Sequence, residues 1–117
     1  MKIALNFKGK KIVVGDVSEC RGIWKYVGLM FSSRENAKIL LFRFGKPSRK
    51  AIHSIFVFFP FLALWLDSEN KVIEAKKVEP FQPIVKPKNK FSRLVEIPLN
   101  KQNMEILSII VDTERFK

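Results

Sequence analysis

Cysteine and histidine are almost missing from the chain of 117 residues: Cys20 and His53 are the sole examples. One thiol excludes an intramolecular disulfide and a cysteine-based zinc cluster, and it fits a reducing compartment. Glycine is also sparse, with five scattered singly and none forming GxGxxG or GxxxxGK, so the usual phosphate-cradling loops are excluded. Acidic residues number 11 against 22 Lys and Arg, which leaves a formal net charge of +11. No long apolar run opens the chain, because Asn6 and Lys8 interrupt Met1 to Lys8; the protein is read as cytoplasmic. The longest uncharged run, Ala51 to Leu66, is too short for a membrane-spanning helix and carries His53, Ser54 and Pro60. It is expected to be buried strand, with no membrane span.

What is present is apolar and aromatic. The 47% hydrophobic and 12% aromatic content is too high for a disordered chain, and the length suits one domain, residues 1–117, with its own core. Ile3, Leu5 and Phe7 alternate with Ala4, Asn6 and Lys8, the pattern of a strand with one buried face. Gly9 then turns the chain into Lys11–Val14, predicting a hairpin. Residues 18–27 are open between a short helix and an irregular loop. Ser32 and Glu35 have capping-box spacing for one helical turn, followed by a strand over Lys38–Phe44 that Gly45-Lys46-Pro47-Ser48 ends.

The β-branched and aromatic residues of Ile52–Phe59 and Phe61–Leu66 predict two strands separated by Pro60, which cannot donate a ladder hydrogen bond. Asp67-Ser68-Glu69-Asn70 reads as a turn into Val72–Ala75, making a second hairpin. Pro80, Pro83 and Pro87 mark an extended stretch, and Phe91–Ile97 reads as a further strand. Met104–Val111 is open between helix and strand. The expected fold is all-β and mainly antiparallel, a sandwich or jelly-roll-like barrel of about seven strands with one or two short helices; the alternative is α+β.

Three segments in fixed order carry a resemblance. Gly28-Leu29-Met30-Phe31, then Ile52 to Pro60 leading into Trp65-Leu66-Asp67 and Lys71-Val72-Ile73-Glu74, then Pro80-Phe81 and Leu94-Val95-Glu96-Ile97-Pro98, together resemble the archaeal-type branch of the family known as domain of unknown function 192. The resemblance spans about Cys20 to Pro98 and implies a small β-rich domain without an assigned activity. The chain departs from it in having Phe61-Leu62 after Pro60 and Leu99-Asn100-Lys101-Gln102 after Pro98, where Leu-Asp and a glycine-rich segment are usual.

Chemistry-bearing groups are few. A Cys20/His53 dyad oriented by Glu19 or Asp67 is the one nucleophilic arrangement available to a hydrolase or transferase, and both residues read more simply as structural. No metal site and no cofactor are expected, since Asp67-Ser68-Glu69-Asn70 lacks the glycine and distal glutamate of a calcium loop. The positive charge concentrates in two runs, Arg43, Lys46, Arg49 and Lys50, and Lys86, Lys88, Lys90 and Arg93. If they converge, they form a basic rim for an anionic ligand or nucleic acid. Trp24, Tyr26, Phe81 and Phe91 are the aromatic residues expected to be exposed for stacking, whereas Phe56, Phe58, Phe59 and Phe61 are expected in the core. Exposure of Phe56, Phe58 or Trp65 would instead mark a patch for a partner, a homodimer or a small apolar ligand. The favoured reading is a non-enzymatic binding or accessory module, with nucleic-acid binding as its alternative.

Overall fold

In a computed structural model, the chain is described for residues 1–22 and 24–115, and for Trp24, Tyr26, Glu114 and Arg115 through the backbone alone. The described residues form seven strands: β1 (Ile3–Phe7), β2 (Lys10–Val14), β3 (Val17–Cys20), β4 (Ile39–Ser48), β5 (Phe61–Leu66), β6 (Val72–Val78) and β7 (Phe91–Pro98). A four-residue helix, α1 (Trp24–Val27), and a C-terminal helix, α2 (Met104–Arg115), complete the regular structure with two 3-10 turns.

The first hairpin follows from local chemistry. Phe7 pairs with Lys10 around Lys8-Gly9, both at positive φ (53° and 82°), the turn whose twist matches its strands. The side chain of Asn6 fixes that turn by accepting from the Gly9 amide at 3.1 Å. In the second hairpin, Asp67 Oδ1 accepts from the amides of Glu69 (2.8 Å) and Lys71 (2.9 Å), as an Asx turn requires.

The sheet has five strands in the order β3-β4-β7-β5-β6. It is antiparallel except for the parallel pair of β3 and β4. β1 and β2 form a separate two-stranded sheet, and no barrel closes. The expected jelly roll is therefore corrected: only one face of the large sheet meets a second sheet. On that hairpin face, Ile39, Leu41, Leu64, Leu66, Val95 and Ile97 pack against Leu5, Phe7, Ile12 and Val14 of the hairpin and Leu107 and Ile110 of α2. The opposite, loop face buries Phe42, Phe61, Ala63, Trp65, Phe91 and Leu94 beneath irregular chain that supplies Leu29, Val57, Phe59 and Val85.

That irregular chain corrects the largest strand expectation. Residues 52–59 form no strand; their one ladder contact is an isolated antiparallel bridge between Ile52 and Val85. Ser54, fully buried, knits the segment to its neighbour: its hydroxyl donates to the Glu79 carbonyl and accepts from the Gln82 amide, both at 2.6 Å. The segments 49–60 and 79–90 thus run side by side across the loop face as an irregular ribbon. Three further corrections are smaller. β4 continues through Gly45-Lys46-Pro47-Ser48 as a bulge, with Arg43 opposite Arg93 and Ser48 opposite Phe91. Residues Val17–Cys20 are strand rather than helix or loop. The helical turn near Ser32 is a 3-10 turn over Arg34–Asn36, and its preceding Ser33 makes no side-chain cap. No helix of the described residues is long and apolar enough to cross a membrane.

Candidate functional site

Two features share the loop face, a cavity and the ribbon that borders it. The cavity holds about 340 Å³ and lies over β7, between the ribbon and the turn that follows α1. Its floor is built by strand alternation. β7 is the middle strand, and its residue 96 stands opposite Leu40 of β4 on one side and Ala63 of β5 on the other. Leu94 on the same face belongs to the apolar core, so the pleat sends the Glu96 side chain to that face too.

Glu96 is 6% exposed and accepts or donates no hydrogen bond to another described group. Burial alone pushes its carboxyl up to about 8, so the group is protonated at neutral pH. Gly28 covers it. The glycine has φ +51°, and a Cβ there would stand 3.6 Å from Glu96 Oε1 and 3.5 Å from Phe42 Cζ. Apolar walls come from Leu29, Met30, Phe44, Ile52, Val57 and Phe91, and the exposed residues Lys25, Lys50, Ala51 and His53 form the mouth. Lys25 Nζ is held there by the Arg43 carbonyl at 2.8 Å and lies 5.7 Å from the Phe44 ring centroid.

A larger groove, about 660 Å³, lies between the β1–β2 hairpin, β3 and α2. It is the weaker candidate on chemical grounds: the buried polar side chain in its lining, Asn103, is already satisfied by the Pro98 carbonyl at 3.0 Å.

The ribbon brings the two basic runs together. Ile52 opposite Val85 and Ser48 opposite Phe91 set residues 46–50 beside 86–90, so Lys46, Arg49, Lys50, Lys86, Lys88 and Lys90, all exposed, gather at one end. Arg43 and Arg93 are paired across β4 and β7 but belong to the other face. They fall two residues from Leu41 and Val95 of the hairpin-face core, Arg43 sits 3.6 Å from Glu19, and Arg93 donates to Asn70 Oδ1 at 2.6 Å. A hydrogen bond from Arg21, aided by the charges of Arg21, Arg43 and Lys25, holds the Glu19 carboxyl below its usual value.

Aromatic residues occupy the other end of the ribbon. Phe56 and Phe58, expected in the core, are exposed, as are Phe31 and Phe81. Phe31 stacks on Phe56 at 5.1 Å between centroids, and Phe58 meets Phe81 edge to face at 5.3 Å. Phe31, Phe56 and Phe81 also have positive φ (61°, 63° and 62°), an uncommon backbone state for aromatic residues. Phe91, expected at the surface, is buried, as are Phe59, Phe61 and Trp65. The side chains of Trp24 and Tyr26 lie outside the described residues.

The Cys20/His53 pair is not assembled. No hydrogen bond joins the two; Cys20 is buried and its thiol is pushed up to about 11 by desolvation, with the Glu96 and Glu19 charges adding to it, while His53 Nδ1 accepts from the Ile55 amide at 3.2 Å. No group of three or more potential metal ligands occurs among the described residues.

Sequence reasoning missed Glu96 as a site residue. The available signal was a lone acid within Leu94-Val95-Glu96-Ile97, a stretch otherwise apolar on both faces.

No protein-family model matches the chain, and no curated protein matches it. The resemblance to the domain-of-unknown-function-192 family therefore rests on the quoted residues alone; two of those segments, Gly28 to Phe31 and Leu94 to Pro98, meet at the cavity. Among solved structures, the chain is similar to a protein of unknown function from Novosphingobium aromaticivorans, at 11% identity and a TM-score of 0.68 over 90% of this chain and 76% of that one. It is also similar to a "putative transcription regulator" from Sinorhizobium meliloti, at 16% identity and a TM-score of 0.69 over 90% of this chain and 82% of that one. These likenesses establish a shared fold.

Proposed function

We propose that the chain is a non-enzymatic binding module whose ribbon engages single-stranded nucleic acid. The observation that carries this reading is the pairing of six exposed cations at one end of the ribbon with four exposed phenylalanines at the other. Lysines and arginines track a phosphate backbone, and exposed rings offer faces on which unpaired bases stack; duplex DNA offers its phosphates but not its base faces. A phenylalanine ring left in water and set on left-handed backbone costs free energy, which a binding role would explain. The non-enzymatic half of the reading is supported by a thiol too basic to be nucleophilic and a histidine occupied by a local backbone amide. The regulator neighbour from Sinorhizobium meliloti is in keeping with nucleic-acid chemistry, although its likeness extends only to the fold.

Titration of a 20-base oligothymidylate and its duplex over a salt series tests the reading. Binding should favour the single strand, with log K falling against log salt at a slope of up to about −4, the value for six neutralised phosphates. The triple variant K86E/K88E/K90E should flatten that slope by about 2. Phe56→Ala and Phe58→Ala should each cost roughly 1–3 kcal/mol while leaving the slope intact. Equal, weak affinity for both nucleic acids at low salt rejects the proposal.

A further inference from the structure

We infer that the cavity over β7 is a binding site for a small, largely apolar molecule that presents a hydrogen-bond acceptor to Glu96. The observations behind this site, the Glu96 carboxyl and its apolar walls, differ from those behind the nucleic-acid reading, with Lys50 the residue common to both.

The geometry supplies three separate reasons. First, the Glu96 carboxyl, 6% exposed, has no hydrogen-bond partner among the described residues, whereas most buried polar side chains in folded proteins have one; Trp65 Nε1 is another buried polar atom here without a partner. Second, it lines a cavity rather than packed core: Gly28, which carries no side chain, lies over Oε1, and the partly open volume of about 340 Å³ is that of a small-ligand pocket. Third, the walls are apolar and the polar groups sit at the two ends, Glu96 at the floor and Lys25, Lys50 and His53 at the mouth.

Charge selects the ligand class. Among the described residues, the titratable groups around the carboxyl are Lys25 from α1, Lys50 and His53 from the ribbon, and Cys20 from β3, with no second carboxylate in the lining. An ammonium would have to pass the lysines, and a buried ion pair with Glu96 would forfeit the hydration of both partners. A neutral carboxyl instead donates its proton to a carbonyl-type oxygen with no separation of charge, while the mouth tolerates a negative group and disfavours a positive one.

Three probes of nearly equal size separate the possibilities: acetophenone, which carries an acceptor; ethylbenzene, which carries none; and benzylamine, a cation. Each is titrated into the isotopically labelled full-length protein and followed by NMR. Acetophenone should shift the Glu96 side-chain carboxyl and the Gly28 and Leu29 amides, and bind about fivefold or more tighter than ethylbenzene. Benzylamine should leave these resonances unmoved. Glu96→Gln, which keeps a donor, should retain the preference for acetophenone; Glu96→Leu should abolish it while still binding ethylbenzene, which shows that the variant is folded. Raising the pH past about 8 should erase the preference as the carboxyl ionises. Equal affinity for acetophenone and ethylbenzene, tightest binding of benzylamine, or no shift at Glu96 and Gly28 at millimolar probe overturns the inference.

Discussion

Glu96 concentrates the residue-scale physics of this protein. Its folded-state carboxyl, raised to about 8 from 4.5 by desolvation, binds a proton that the unfolded chain has already released at neutral pH. Below about pH 4.5 both states hold the proton and burial carries no ionisation penalty. Between 4.5 and 8 only the folded state holds it, so stability falls as pH rises, by on the order of a few kcal/mol in total, and levels off above 8. Urea denaturation between pH 5 and 9 should show this decline in the wild type and a much flatter profile in Glu96→Gln. A parallel decline in both proteins would assign the pH dependence to other groups. The lone acid among apolar residues was legible in sequence, but its environment was not: Gly28 and Lys50 are remote along the chain and come to line the same cavity only through the tertiary fold.

At the scale of elements, local chemistry was a good guide where an element closes on itself. The two hairpins are cases in point, since Lys8-Gly9 and Asp67 dictate their turns without outside help. It failed for residues 52–59, whose aromatic and β-branched content suits a strand but whose polar backbone is tied to residues 79–85 by the fully buried Ser54. Propensity describes a residue on a pleated surface, not which partner chain is on offer. The C-terminal helix was equally undecided, because Ile106, Leu107 and Ile110 acquire a helical meaning only once the hairpin face needs covering. Its start depends on Asn100, buried, which donates to the Arg34 and Ala37 carbonyls (2.8 and 3.1 Å) and accepts from the Asn103 amide at 3.2 Å. Asn100→Ala should cost about 2–3 kcal/mol, more than a solvent-exposed cap, because it also removes the donations to the Arg34 carbonyl and to the Ala37 carbonyl, the latter still served by Gln102 Nε2 at 2.9 Å. Asn100→Asp keeps the cap but loses both donations. Chemical denaturation of the two variants separates the contributions: equal stability of Asn100→Ala and wild type would remove Asn100 from the account.

For the molecule as a whole, the decisive fact is that β7 comes late in sequence and lies at the middle of the sheet. β4 and β5 do not pair with each other; each pairs with β7. A chain ending at residue 90 therefore has two sheet fragments and an uncovered apolar face, and it should lack the cooperative thermal unfolding and near-UV circular dichroism of the full chain. A cooperative transition in the 1–90 fragment would show that the N-terminal elements hold together without their central strand. The sequence by itself determined the β-rich class, the tight turns and the excess of positive charge, because each depends on residue type and short-range backbone geometry. Tertiary structure alone decided that the two basic runs lie side by side, that Phe56 and Phe58 face solvent, and that Glu96 stands beneath Gly28 in a cavity. Those outcomes depend on strand order and on pairings between residues some tens of positions apart, and no local propensity encodes which distant segment covers which face.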